Sequence, residues 1–353
     1  MHRRKFIRPN ALARQAGLVA GAFREVLPEE APAELALVRA SRGAMATVFE
    51  ISLPLGTPDA VAAAEEALDL IDRLEDQLSV FRPQSEVSRL NAAAPYRPVR
   101  VEENLFALLE RAAHLNRQTH GAFDVATGAL TKAWGFYRRQ GRVPPPPERA
   151  AAMARTGMRH VLLDRETRRV RYRREGVEIN LGAIGKGYAL DRAAAALRRE
   201  WGVTSALLHS GRSSARVIGA PPGAPGWRVD LTHPWREGEV LGTLLLRDCG
   251  LGTSAATYQY FEYNGRKLGH LLDPRTGRPA EGTALASVVA PTAELADALS
   301  TAFFVLGEEG ARRYCAARPE VGAVLLPEGE GARPVALNLD SHRWRPAAAP
   351  PAE

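Results

Sequence analysis

The second half of the chain is built from short apolar runs, and this limits its fold more than any other feature. Strand signals recur at residues 161–163, 170–172, 177–181, 206–208, 227–231, 241–246, 286–290 and 323–326. Helical spacing appears only at 188–201, 293–306 and 308–317. Strands that follow one another with few helices between them predict an α+β fold with hairpins, not a regular βαβ series. Earlier in the chain, residues 47–53 alternate polar and apolar and predict a further strand. Gly56-Thr57-Pro58 then predicts a turn, an N-cap and a proline at the first helical position. Val61, Ala64, Leu68, Ile71 and Leu74 follow at helical spacing and give that helix one core face. A second helix is predicted over 102–119, with Leu105, Leu108, Leu109, Ala112 and Leu115 inward.

Residues 140–149 contain four consecutive prolines and predict an exposed connection, a place where two lobes would divide. Residues 24–40 read as a linker or surface arm, 41–345 as a single domain, and the Pro- and Ala-rich stretch after Trp344 as a disordered tail. Hydrophobic residues make up 45% of the chain and charged ones 25%, enough for a sizeable core. No apolar run approaches the roughly 20 residues of a membrane span. The net charge of +7 does not mark a nucleic-acid surface. Lysine occurs only at Lys5, Lys132, Lys186 and Lys267, and the arginines are scattered among acids, as in 164–174. Cys249 and Cys315 stand far apart in apolar surroundings and read as buried free thiols by default, with a disulfide the alternative, and not as a zinc site. At the start, Arg3-Arg4-Lys5-Phe6-Ile7 resembles a twin-arginine export signal, with no cysteine nearby for lipid attachment. Pro9, Arg14 and Gln15 interrupt its apolar stretch, so an extracytoplasmic and a cytoplasmic location both stay open.

Three segments carry chemistry. In NLGAIGKGY, residues 180–188, a strand signal runs through glycines into a helix, which exposes backbone amides suited to phosphate oxygens. It is neither a Walker loop nor a G-x-G-x-x-G fingerprint. The plainer alternative is a tight strand-to-helix turn with a surface lysine, Lys186. In GRKLGHLLDPRTG, residues 265–277, Pro274 and Gly277 shape a turn after His270. A histidine there can shuttle protons near neutral pH; the alternative is a structural histidine. In AELADALSTAFFVL, residues 293–306, Asp297 and Thr301 are four apart and share one helix face. A carboxylate on an apolar helix is costly unless compensated, and a carboxylate with a hydroxyl suits Mg²⁺. The alternative is an acid favouring the helix dipole, with Thr301 bonding back to the backbone. Residues 78–91, including Phe81, and residues 119–128 leading to Trp134-Gly-Phe136 read as polar loops with aromatics. They suit a flat ring system and a pyrophosphate, or serve simply as connections.

Taken in order, these segments resemble the FAD:protein FMN transferase (ApbE-type) family across about 45–338. THGAFD (119–124), LGAIGKGYALDRA (181–193), GHLLDPRTG (269–277) and ADALSTAFFVLG (296–307) carry the likeness. The resemblance implies a single α+β, T-fold-related flavin-transferase domain with antiparallel or mixed sheets that holds FAD in a cleft. It implies that Phe81 lies over the isoalloxazine, that Ala122, Phe123 and Asp124 line the FAD site, and that Asn180 and Lys186 contact FAD. The Ala183 carbonyl, Asp297 and Thr301 would hold Mg²⁺. His270, or an acid held near it such as Asp273, would serve the reacting centre by helping to remove the acceptor's proton. The implied reaction is attack of an acceptor flavoprotein's threonine on FAD, which attaches FMN and releases AMP; the acceptor would be a redox subunit. FAD hydrolysis to FMN and AMP, or non-catalytic FAD carriage, are the alternatives. Three positions depart from the family's pattern. Met45-Ala46-Thr47 stands for Met-Gly-Thr, Gly211-Arg212 for Gly-Gly, and Thr253-Ser254-Ala255-Ala256 for the usual Ser-Gly.

Overall fold

The strand signals resolve into one large antiparallel sheet and several small ones in a computed structural model that describes residues 23–26, 36–255 and 260–347. The twin-arginine-like start, the tail from residue 348 and Ala256 lie outside the described residues. Among the described residues, no helix is long and apolar enough to cross a membrane. The chain divides into two units. Among the described residues, the first comprises Asp76–Ala183 and 260–281; the second comprises 23–26, 36–75, Ile184–Ala255 and 282–347.

The second unit holds the eight-stranded sheet. Its strands are Leu37–Ala44, Thr47–Pro54, Ala206–Ser210, Ser214–Ile218, Gly250–Ala255, Thr283–Ala290, Gly322–Pro327 and Val335–Leu337. They stand side by side in chain order, each antiparallel to the next. Phe49, Ile51 and Leu53 are fully buried in the second strand. The helices Gly185–Glu200 and Ala293–Ala316 pack on this sheet and on each other. The stretches 293–306 and 308–317, expected as two helices, form one helix bent at Gly307, whose φ of 69° is the left-handed break between them. A separate four-stranded sheet joins Phe23–Val26, Trp227–Thr232, Val240–Leu246 and Trp344–Pro346.

Several expectations are corrected here. Phe23–Val26 and Leu37–Ala44 are strands, so 24–40 is not simply an arm. Trp344–Pro346 pairs with Gly242–Leu244, so the chain just past Trp344 is ordered by a ladder. The first long helix begins at Ala60; Thr57 and Pro58 fall in the preceding turn, where Asp59 takes a φ of 48°.

The first unit contains the helices Glu86–Ala93, Glu103–Gln118, Gly128–Ala133 and Pro146–Met153. It also holds a three-stranded sheet of Val99–Arg100, Arg169–Tyr172 and Val161–Asp164. Two small hairpins complete it, Tyr260–Tyr263 with Arg266–Gly269 and Leu272–Asp273 with Arg278–Pro279. The proline run lies inside this unit and divides nothing: its last prolines open the helix Pro146–Met153, where a missing N–H costs no helical bond. Residues 177–181, expected as a strand, form none. The Asn91 side chain explains this: Nδ2 donates to Ile179 O at 2.9 Å and Oδ1 accepts from Ile179 N–H at 2.9 Å. Tyr172 Oη donates to the same Oδ1 at 2.7 Å. One amide thus satisfies the backbone groups a neighbouring strand would have taken.

Candidate active site

In the second unit the chemistry gathers on Asp297, whose residue is 4% exposed on the helix Ala293–Ala316. Oδ2 accepts from the Gly187 backbone N–H at 3.1 Å, and Oδ1 accepts from Ser214 Oγ at 3.0 Å. Lys186 Nζ lies 3.7 Å from Oδ1. The carboxylate therefore sits beside the start of the glycine-loop helix, whose N-cap, Ile184, makes no side-chain cap bond. One turn further on, Ser254 Oγ lies 3.3 Å from Thr301 Oγ1 and 3.0 Å from Ser300 Oγ, and Ser300 Oγ donates to Asp297 O at 2.8 Å.

This geometry depends on close helix packing. A Cβ at Gly187 would stand 2.2 Å from Ala293 O, and one at Gly252 would stand 2.3 Å from Ala296 C. Asp191, from the glycine-loop helix, accepts from Ala293 N–H at 3.0 Å and Glu294 N–H at 2.8 Å, while Thr292 accepts from Leu295 N–H. These bonds satisfy the orphan donors at the start of the helix that carries Asp297. Arg216 Nε stands 3.3 Å from Asp191 Oδ1. Burial pushes the Asp191 carboxyl up to about 6, against the two N–H donors and Arg216 that favour its charge.

Arg212 is exposed in the turn between Ala206–Ser210 and Ser214–Ile218. Gly211 there has a φ of 56°, and its Cβ would meet Thr47 Oγ1 at 2.4 Å, so glycine is required. Met45 and Ala46 form the two-residue turn before Thr47, with φ of 49° and 62°.

In the first unit, Phe81 is 62% exposed yet stacks on Tyr137, with centroids 4.7 Å apart and planes at 27°. Tyr137 is fixed by its hydroxyl to Val80 O at 2.9 Å, and Lys132 Nζ stands over its ring at 5.1 Å while pairing with Glu178. Ala122 and Phe123 are buried, so their side chains build the loop's base. Asp124 binds the loop from within. Oδ1 accepts from Ala126 N–H, and Oδ2 accepts from Met158 N–H and Asn116 Nδ2. Burial raises its carboxyl above the ordinary range. Asn180 Oδ1 accepts from Gly182 N–H at 2.9 Å, which shapes the glycine loop up to Ala183, the last residue of this unit.

His270 is partly buried, its ring edge-on to Phe136 at 6.4 Å between centroids. Asp273 is buried and serves its own turn. Its carboxylate takes Arg275 N–H, Nε and Nη2 at 2.9, 2.9 and 3.0 Å, and its carbonyl accepts from Gly277 N–H at 2.8 Å. The turn is held further by Trp134 Nε1, which donates to Gly277 O at 2.9 Å.

Sequence reasoning did not single out Ser214, Ser300, Asp191 or Asn116. Single serines and asparagines carry no spacing signal; Asp191 had one available, lying four residues past Gly187 on the same helix face.

A cation at Asp297 and Thr301 would meet one carboxylate and hydroxyls. Among the described residues no group of three His, Cys, Asp or Glu side chains stands ready for a metal. An oxygen-only set this sparse fits Mg²⁺, which keeps waters and substrate phosphates as its other ligands.

Residues 45–325 match the ApbE family. The chain is 32% identical over 298 residues to the FAD:protein FMN transferase of Klebsiella pneumoniae (strain 342), covering 81% of this chain and 83% of that protein. Its fold is similar to the crystal structure of the ApbE protein from Thermotoga maritima, with TM-score 0.76, 31% identity and 84% and 96% of the two chains covered. It is similar also to the flavin transferase ApbE from Vibrio cholerae, with TM-score 0.76, 25% identity and 86% and 97% covered. The α+β fold with antiparallel sheets, the transferase chemistry and the flavin substrate class thus agree with the order of motifs, and the chain is a member of the ApbE family of FAD:protein FMN transferases.

Proposed function

We propose that this protein transfers FMN from FAD to a threonine of an acceptor flavoprotein, a redox subunit, and releases AMP. The observation that carries the reading is the buried Asp297 carboxylate, oriented by Gly187 N–H and Ser214 and set four residues from Thr301. Asp297 and Thr301, with the Ala183 carbonyl that the family likeness adds, would hold Mg²⁺. When bound, that ion neutralises charge on the pyrophosphate oxygens.

The protein's own groups do the remaining work. The Phe81 face, backed by Tyr137, offers a stacking surface for a flat ring system. The loop around Ala122, Phe123 and Asp124, together with Asn180, lines the FAD site. Lys186 brings a positive charge toward the phosphates. The threonine Oγ forms a bond to the phosphorus bearing the riboflavin side, and the bond from that phosphorus to the oxygen of AMP breaks. A ring nitrogen of His270 takes the threonine proton. Asp273 orders the turn that follows His270, its carboxylate accepting from Arg275 N–H, Nε and Nη2.

Purified protein incubated with FAD, Mg²⁺ and a threonine-bearing acceptor tests the reading. Covalent flavin on the acceptor supports transfer, free FMN and AMP indicate hydrolysis, and unchanged FAD indicates carriage. Asp297→Ala is expected to abolish transfer; normal Mg²⁺ binding and transfer by that variant would sink the metal assignment.

A further inference from the structure

The hydroxyls of Thr301, Ser254 and Ser300 form a chain that ends on the main-chain carbonyl of Asp297, and that end fixes the direction of every hydrogen in it. Ser300 Oγ lies 2.8 Å from Asp297 O. A carbonyl only accepts, so this bond uses the one hydrogen that Ser300 carries. Ser254 Oγ, 3.0 Å from Ser300 Oγ, therefore donates to it. With that hydrogen committed, the 3.3 Å contact between Ser254 Oγ and Thr301 Oγ1 runs from Thr301 to Ser254. Ser254 and Ser300 are 7% and 0% exposed, which keeps solvent from reordering the chain.

We propose that Ser254 is a positioning residue for the cation site. By accepting the Thr301 hydrogen, it leaves the Thr301 lone pairs directed away from the hydroxyl chain and open to a hard cation. The proposal rests on the Asp297/Thr301 reading of that site. A helical threonine ordinarily returns its hydroxyl to the carbonyl four residues back. For Thr301 that carbonyl is Asp297 O, which already takes the helical N–H and the Ser300 hydroxyl. Ser254 supplies the alternative acceptor. The carboxylate is set in the same manner, since Ser214 and Gly187 N–H each claim one of its oxygens. Partners behind a metal ligand typically change metal affinity about 10- to 100-fold when removed.

Mn²⁺ binding to the full chain without FAD, followed by electron paramagnetic resonance, tests this apart from turnover. Ser254→Ala should weaken Mn²⁺ binding about tenfold or more, while Ser254→Thr, which keeps the hydroxyl, should restore most of it. In a Thr301→Ala background, Ser254→Ala should cost nothing further, because it acts through Thr301. An additive loss in that background would mark Ser254 as a packing residue and overturn the proposal. So would parental binding by Ser254→Ala while Asp297→Ala and Thr301→Ala bind poorly, an outcome that leaves the cation site standing. Parental binding by both Asp297→Ala and Thr301→Ala would remove the site itself, and the role of Ser254 with it. Should Ser254→Ala not fold, Ser300→Ala carries the test. It frees the Ser254 hydrogen to turn toward Thr301, so Mn²⁺ binding should weaken, and unchanged binding would refute the ordered chain.

Discussion

The Gly187 backbone N–H donates to Asp297 Oδ2 at 3.1 Å, and the same glycine leaves no room for a side chain against the helix Ala293–Ala316. A methyl at Gly187 would stand 2.2 Å from Ala293 O and 2.5 Å from Ala293 C, both backbone atoms that cannot rotate away. Gly187→Ala should therefore push the helix Ala293–Ala316 off its neighbour and stretch the bond to Asp297. A loss of about 2–3 kcal/mol is expected from overpacking of this kind, read as a lower urea midpoint. Mn²⁺ affinity should fall with it. A parental midpoint would mean that the contact relaxes freely.

The turn at Met45 and Ala46 makes the opposite prediction. The strands Leu37–Ala44 and Thr47–Pro54 are joined by two residues, both at positive φ, the geometry of a type I′ hairpin. Ala46 at 62° bears the steric cost of a Cβ in the left-handed region. Ala46→Gly should remove that cost and stabilise the protein by about 1 kcal/mol, less the added freedom of the unfolded chain. A urea midpoint that fails to rise would show that the turn relaxes around alanine.

Asp191 makes stability depend on pH. Its carboxyl is raised from 3.8 to about 6 by burial, so between those values the folded state holds a proton that the unfolded state has lost. Stability from this group is therefore greatest below about pH 4 and is lost as pH rises through 6, on the order of 2–3 kcal/mol in all. Asp191→Asn cannot ionise and should flatten that part of the profile. Urea midpoints of parent and variant measured between pH 4 and 7 should converge toward the acid end. Parallel curves would show that Asp191 titrates alike in both states.

How far the sequence carried these conclusions differs by physical cause. The strand runs 206–208, 241–246, 286–290 and 323–326 were legible because strands buried on both faces read as short continuous apolar runs. The order of strands in the sheet was not, since Ser52 pairs with Leu207 although the stretch Asp76–Ala183 of the first unit and the helix Gly185–Glu200 lie between them in the chain, a pairing that no local pattern encodes. Residues 177–181 misled because a side chain, Asn91, took the place of a strand. Within the site, Asp297 and Thr301 stood out because an acid on an apolar helix demands a reason. Ser214 and Ser254 reach them from two separate strands and Ser300 from their own helix, and a lone serine looks the same in sequence whether it orients a ligand or merely fills a strand.

Phe81 offers the sharpest separation of folding from function in the first unit. At 62% exposure its ring adds little to the core, yet it is held nearly parallel to Tyr137 at 4.7 Å. Tyr137 is itself pinned through its hydroxyl to Val80 O, so the stack is rigid at its base and open on its outer face. An aromatic kept flat and uncovered is preorganised to receive another ring. Phe81→Ala should change the unfolding free energy by no more than about 0.5 kcal/mol, as for other exposed positions, and so leave the urea midpoint close to the parent's. Loss of one aromatic stacking partner is worth about 1–3 kcal/mol, so FAD affinity should fall roughly tenfold or more. Phe81→Tyr should retain both properties. Fluorescence titration of FAD alongside urea denaturation reads the two effects separately. Parental FAD binding by Phe81→Ala would remove Phe81 from the flavin site, and a large drop in the urea midpoint would make it a structural residue instead.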